Sequence, residues 1–123
     1  MTQSRAEQLA SLSLSDRAEA LKDITTEQAQ ALLYDWRGFN ARPAQIMPDG
    51  DWVIWLILAG RGFGKTKTGA ETVREEAESG RSAHIGLIAE TAADARDVMV
   101  AELLRCFPKA DMPIYTASRR KIE

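Results

Sequence analysis

The segment Leu58–Glu71 reads LAGRGFGKTKTGAE. Three glycines, Gly60, Gly62 and Gly64, stand before Lys65 and Thr66, directly after the most apolar stretch of the chain. A loop that brings backbone N–H groups onto a polyphosphate must keep side chains out of the way, which is what glycines do. A helix that begins where such a loop ends turns its free N–H groups and the positive end of its dipole toward the same anion. In that arrangement Lys65 reaches the terminal phosphates as a cation and Thr66 offers its hydroxyl to a magnesium ion. The pattern is G-x-x-x-x-G-K-[ST] with one departure: Ala59 stands at the first glycine position, and Gly60 follows it. The competing reading is a glycine-rich turn with a chance Gly-Lys-Thr.

The flanks give the loop a setting. DWVIWLILA, residues 51–59, is rich in branched and aromatic residues and apolar on both faces. That is the texture of a strand in the middle of a parallel sheet. The spacing predicts a helix over Lys65 to Ser79, with Gly80 at its C-terminal cap. HIGLIA, residues 84–89, reads as a second short strand. Thr91 and Asp94 then cap a helix with Ala95, Val98, Met99, Leu103 and Cys106 on one face, and Pro108 breaks it. MPIYTASRRKIE, residues 112–123, has the makings of a further strand. Strand, glycine loop, helix, strand, helix is the order of an α/β protein with a parallel sheet.

Residues 1–40 have another character, and they are expected to form short helices. Ser4 with Glu7, Ser13 with Asp16 and Thr25 with Gln28 are capping pairs. Ala29, Leu32, Leu33 and Trp36 follow the third at helical spacing, and Gly38 is the expected stop. The segment NARPAQIMPDG, residues 40–50, carries two prolines and ends in a turn signal. The expected division is a helical segment over 1–40 and a nucleotide-binding part over 41–123.

Bulk properties set bounds. The 123 residues suffice for one domain. A net charge of −2 supplies no electrostatic case for nucleic-acid binding, although a local patch is compatible with it. The single cysteine, Cys106, forms no internal disulfide, which suits a reducing compartment. The N-terminus lacks the layout of a signal peptide. The apolar run from Trp52 to Ala59 is far short of the ~20 residues that span a bilayer. A soluble, intracellular protein is expected.

The residues WLILAGRGFGKTKTGAE, 55–71, resemble the large subunit of phage-type terminases, the ATP-driven DNA-packaging motors of tailed phages and of bacterial gene transfer agents. The resemblance extends to ARPAQIMPDGDW upstream and IAETAADARDVMV downstream, about residues 30–123 in all. Within that family Ala59 is no defect. The resemblance implies a partial P-loop NTPase sheet of the ASCE type, with an N-terminal helical segment. It implies ATP and Mg2+ as ligands, held by Ala59, Gly60, Arg61, Gly62, Phe63, Gly64, Lys65 and Thr66, with Thr66 on the metal. Lys65 and Arg61 are its catalytic candidates, Arg61 near the γ-phosphate. Against this stands an Arg61 that is only a solvated surface residue.

Gln45 is a candidate for the adenine edge, since its amide complements N6 and N7; a loop glutamine in water is the alternative. By resemblance the partners are a small terminase subunit, a portal protein and double-stranded DNA, with a ring oligomer in the full-length protein. The implied location is the cytoplasm of a bacterial host, with no membrane association. The family's Walker B acids and nuclease residues have no counterpart here, so the chain is expected to be the N-terminal part of such a protein, marginally stable or aggregating by itself. Glu90, at the end of HIGLIAE, superficially resembles a Walker B acid but belongs to the next strand. Two other readings are open: a small P-loop kinase, and a truncated module that binds nucleotide without turnover. Trp52, Trp55 and Cys106 are expected in the core, and SRRK, 118–121, in solvent.

Overall fold

The computed structural model describes residues 3–123. It divides into two compact units, Met1–Asp51 and Trp52–Glu123.

The first unit is built from short capped helices. α1 (Arg5–Ser11) opens on a capping box, in which Ser4 accepts from the Glu7 amide and the Glu7 carboxylate accepts from the Ser4 amide. α2 (Leu14–Leu21) is capped by Ser13, and α3 (Thr26–Tyr34) by Thr25 with Gln28 in a second box. The capping pairs read from sequence are therefore all present. The third helix ends sooner than its apolar spacing suggests. After Tyr34 the chain tightens into a π-helical turn, Trp36–Asn40, whose start is fixed by the Asp35 carboxylate accepting from Gly38 N–H. This turn packs against α1 and α3. It buries Trp36, while Leu33, predicted on the same face, stays exposed.

The second unit holds α4 (Lys65–Glu78), the helix expected after the glycine loop. Gly80 follows it with φ 68°. α5 (Ala92–Asp94) starts at the predicted cap Thr91, runs through a π-helical stretch, Ala95–Val100, and continues as α6 (Ala101–Arg105). α6 lies against α4. Between them sits a small core of Ala70, Leu103 and Cys106, flanked by Val73, Leu87, Phe107 and Ile122.

The predicted sheet is not there. Half of the chain is helical, and the sheet among the described residues is a two-stranded antiparallel hairpin of β1 (Tyr115–Thr116) and β2 (Lys121–Ile122). The fold is therefore not that of a parallel-sheet P-loop NTPase, partial or otherwise. Residues 51–59 and 84–89 contain no strand. Val53 is 95% exposed, Leu58 85% and Ile88 88%. Branched side chains favour an extended backbone, but a strand exists only when a neighbour accepts its ladder of hydrogen bonds. An all-apolar sequence states a need for cover and does not supply the partner. The expected interior position of Trp52 fails with the sheet, since it is 39% exposed and meets Trp55 with ring centroids 6.4 Å apart. Cys106 is in the core as expected, with no exposure. No helix of the described residues is long and apolar enough to cross a membrane.

The α4–α6 contact carries buried charge as well as apolar surface. Arg74, 8% exposed, donates from Nη1 to the Cys106 carbonyl at 2.5 Å, and its Nη2 lies 3.1 Å from the Glu71 carboxylate. Removing Arg74 takes one of the two cations from the buried Glu71 carboxylate, with Lys67 still 3.0 Å away, and strips the Cys106 carbonyl of that donor. Arg74→Ala is expected to destabilise the chain by about 1–3 kcal/mol, read as a lowered urea midpoint. A midpoint unchanged from the parent contradicts this role.

Candidate functional site

The loop before α4 is shaped by two left-handed residues. Gly62 has φ 83° and Gly64, the N-cap of α4, has φ 89°. A side chain at either position is strained whatever space surrounds it. Because Gly64 has no side chain, α4 begins without the side-chain hydrogen bond that caps α1, α2, α3 and α5. Those four helices also carry an acid in the first turn, and α4 carries none. Its first three residues are Lys65, Thr66 and Lys67. Two cations at the positive end of a helix dipole are unfavourable by ~0.3–1 kcal/mol each. Glu71 and Glu102 balance Lys67, and Lys65 is the cation that faces the dipole without a carboxylate partner among the described ion pairs.

Lys65 folds back over the loop. Its ammonium donates to the Ala59 carbonyl at 2.8 Å and to the Gly60 carbonyl at 2.9 Å. The loop is thus closed by its own lysine. Beside it opens a cleft of about 440 Å3 lined by Arg61, Gly62, Gly64, Lys65, Thr66, Lys67 and Glu102. The structure so brings together five of the eight loop residues expected to hold nucleotide. Ala59 and Gly60 contribute the carbonyls under Lys65. Phe63 is half-buried and does not line the cleft. Gln45 belongs to the first unit and is buried there, its Oε1 accepting from the backbone N–H and Nε of Arg42 at 3.0 and 3.2 Å. Glu90 is exposed and is not part of the cleft.

Two cleft residues were not among the candidates. Lys67 joins the cleft to the seam between α4 and α6. Its ammonium sits 3.0 Å from the Glu71 carboxylate, 3.4 Å from Cys106 Sγ and 3.9 Å from Glu102. Burial pulls its pKa down, but the bond and charge of Glu71 and the sulfur outweigh that, and the net direction is up. The i,i+4 spacing of Lys67 and Glu71 is the sequence signal that finds this pair. Glu102 has no such signal: it comes from α6, and only the folding of α6 against α4 places it here.

Magnesium has a narrow fit. Thr66 supplies a hydroxyl and Glu102 a carboxylate, and no group of three metal-ligating side chains exists among the described residues. That is too few donors for a cage of protein ligands. It suits a Mg2+ ion that arrives on phosphate oxygens, keeps several waters and takes one or two protein oxygens.

Comparison with protein-family models, with curated proteins and with solved structures finds no match for this chain.

Burial pushes the Cys106 thiol up to about 11 from an ordinary 9.0. The nearby Glu71 charge adds to this, and the Lys67 ammonium opposes it. A raised thiol pKa holds the neutral form across neutral pH, with about a hundredfold less thiolate at pH 8 than at the ordinary value. Cys106 in the native chain is expected to react with a thiol-specific disulfide reagent at pH 8 about a hundredfold more slowly than in 8 M urea. Equal rates in the two conditions rule out the buried position.

Proposed function

We propose that the Gly60–Thr66 loop and the start of α4 bind the polyphosphate of a nucleotide, ATP with Mg2+, and that the chain is an ATP-binding portion of a terminase large subunit. The observation that carries the binding reading is the uncapped, cation-bearing N-terminus of α4 facing an open cleft. A polyphosphate there accepts from the free first-turn N–H groups and relieves the repulsion between Lys65 and the helix dipole. Lys65 exchanges two neutral carbonyls for charged phosphate oxygens, a stronger class of hydrogen bond. Arg61 adds a third cation on the rim. Thr66 would offer its hydroxyl to a Mg2+ carried on the phosphates, an ion that would neutralise their charge.

The terminase assignment rests on the resemblance of residues 55–71 alone, and the parallel sheet that this resemblance implies is not formed. On that reading the whole protein hydrolyses ATP to drive double-stranded DNA into a capsid in the bacterial cytoplasm. A ring of subunits would work with a small terminase subunit and a portal protein. Lys65 and Arg61 would then stabilise charge on the transferring phosphoryl group.

The test is Mg-ATP binding to the 123-residue chain by calorimetry, with phosphate release followed in parallel. Lys65→Ala removes charge-assisted bonds worth about 1.5–3 kcal/mol, so its affinity is expected to fall about 10- to 150-fold. Equal binding by parent and variant defeats the proposal.

A further inference from the structure

Residues 51–59 form no strand, yet their exposure keeps the alternation of one. Trp55, Ile57 and Ala59 are half-buried, and Ile54, Leu56 and Leu58 between them are exposed. A period of two belongs to a backbone whose side chains point to opposite faces in turn. Leu56 is 70% exposed and Ile54 82%. The backbone of residues 53–58 enters no ladder and no backbone hydrogen bond among the described residues. An apolar run with unpaired backbone groups is a template for pairing with another chain.

The ends of the run carry opposite charges. Asp51 precedes it and Arg61 follows it, and residues 52–60 between them carry no charge. Both ends are exposed, and no ion pair among the described residues takes up either charge. Such a run is complementary to itself when two copies lie antiparallel and repels itself when they lie parallel. With Leu56 on the two-fold axis, Asp51 of one copy stands opposite Arg61 of the other, and Ile54 opposite Leu58. Trp52 stands opposite Gly60, where an aromatic ring covers a residue that has no side chain to pack. Val53, Ile54, Leu56 and Leu58 at roughly 100 Å2 each, with the open part of Trp52, offer on the order of 500 Å2 per copy and about 1,000 Å2 for the pair. A specific interface begins at about that area.

We propose that residues 51–61 are a homodimer interface, in which a second copy of this chain adds its own 51–61 as an antiparallel strand about a two-fold axis at Leu56. The ladder gives the unpaired backbone groups their partners. The two Asp51–Arg61 pairs set the register, and the modest area makes a weak dimer with a dissociation constant in the micromolar range. The interface is independent of what the glycine loop binds.

Sedimentation velocity of the full chain, from low to high micromolar concentration, is expected to show a monomer–dimer equilibrium. Asp51→Arg sets like charges together at both ends and is expected to weaken the dimer about tenfold or more. Adding Arg61→Asp to that variant is expected to restore it. Leu56→Cys is expected to form a disulfide between copies under mild oxidation, since directly opposed Cβ atoms stand about 4.5–5.5 Å apart. Val53→Cys is not, because the two copies of that residue lie about 20 Å apart along the paired strands. The native Cys106 is buried and does not compete. A parent that stays monomeric throughout overturns the proposal, and so does open-ended association. A double variant that fails to recover the dimer, or equal cross-linking at 53 and 56, overturns it as well.

Discussion

Arg74 reaches from α4 to the carbonyl of Cys106, and the seam between α4 and α6 is arranged around that reach. Cys106 follows the last residue of α6, where carbonyls lack helical partners. A guanidinium satisfies one of them and so fixes the end of α6 against the middle of α4. The same guanidinium is balanced by Glu71, and Glu71 in turn holds Lys67. A small apolar core of Ala70, Leu103 and Cys106 closes over these contacts. Three apolar residues alone make a thin interface; the charged seam gives it a defined register. The position of Glu102 on the cleft wall follows from that register.

The parts of the chain that were legible in the sequence are those decided locally. Ser4, Ser13, Thr25 and Thr91 cap helices because a hydroxyl and an amide three residues on need nothing else. The start of α4 at Lys65 was legible for the same reason, since Gly64 in a left-handed conformation stops the loop and frees the helix. The loop residues Arg61, Gly62, Gly64, Lys65 and Thr66 are consecutive or nearly so, and their meeting in one cleft needed only that loop. What depended on distant partners was not legible. The stretches 51–59 and 84–89 have the composition of buried strands and form none. Composition reports what a segment would gain by burial, and pairing depends on what else is within reach.

The helix after Thr91 is an intermediate case. Its apolar residues were placed on one face by a regular 3.6-residue period, with Val98 and Met99 among them. The π-helical stretch Ala95–Val100 inserts extra backbone into a turn and rotates the phase of everything after it. Val100 is buried as a result, and Val98 is 49% exposed. Leu103 and Cys106 still meet α4, because they lie beyond the slip and share a face with each other. A period read from sequence has no means of showing a slip of this kind.

Under the proposed function, the bare, lysine-led end of α4 would tie folding to solution composition. The left-handed Gly64, the free first-turn N–H groups and the two lysines are brought together only in the folded chain. Any polyanion that settles there binds native molecules and ignores unfolded ones. At a hundred times its dissociation constant such an anion adds about 2.7 kcal/mol to the free energy of unfolding. For a chain whose interior core is as small as this one, that is a large share of what holds it together. If the proposed polyphosphate binds there, the helix end becomes a reporter of its surroundings, and the amount of native protein present would track the supply of phosphate-rich solutes.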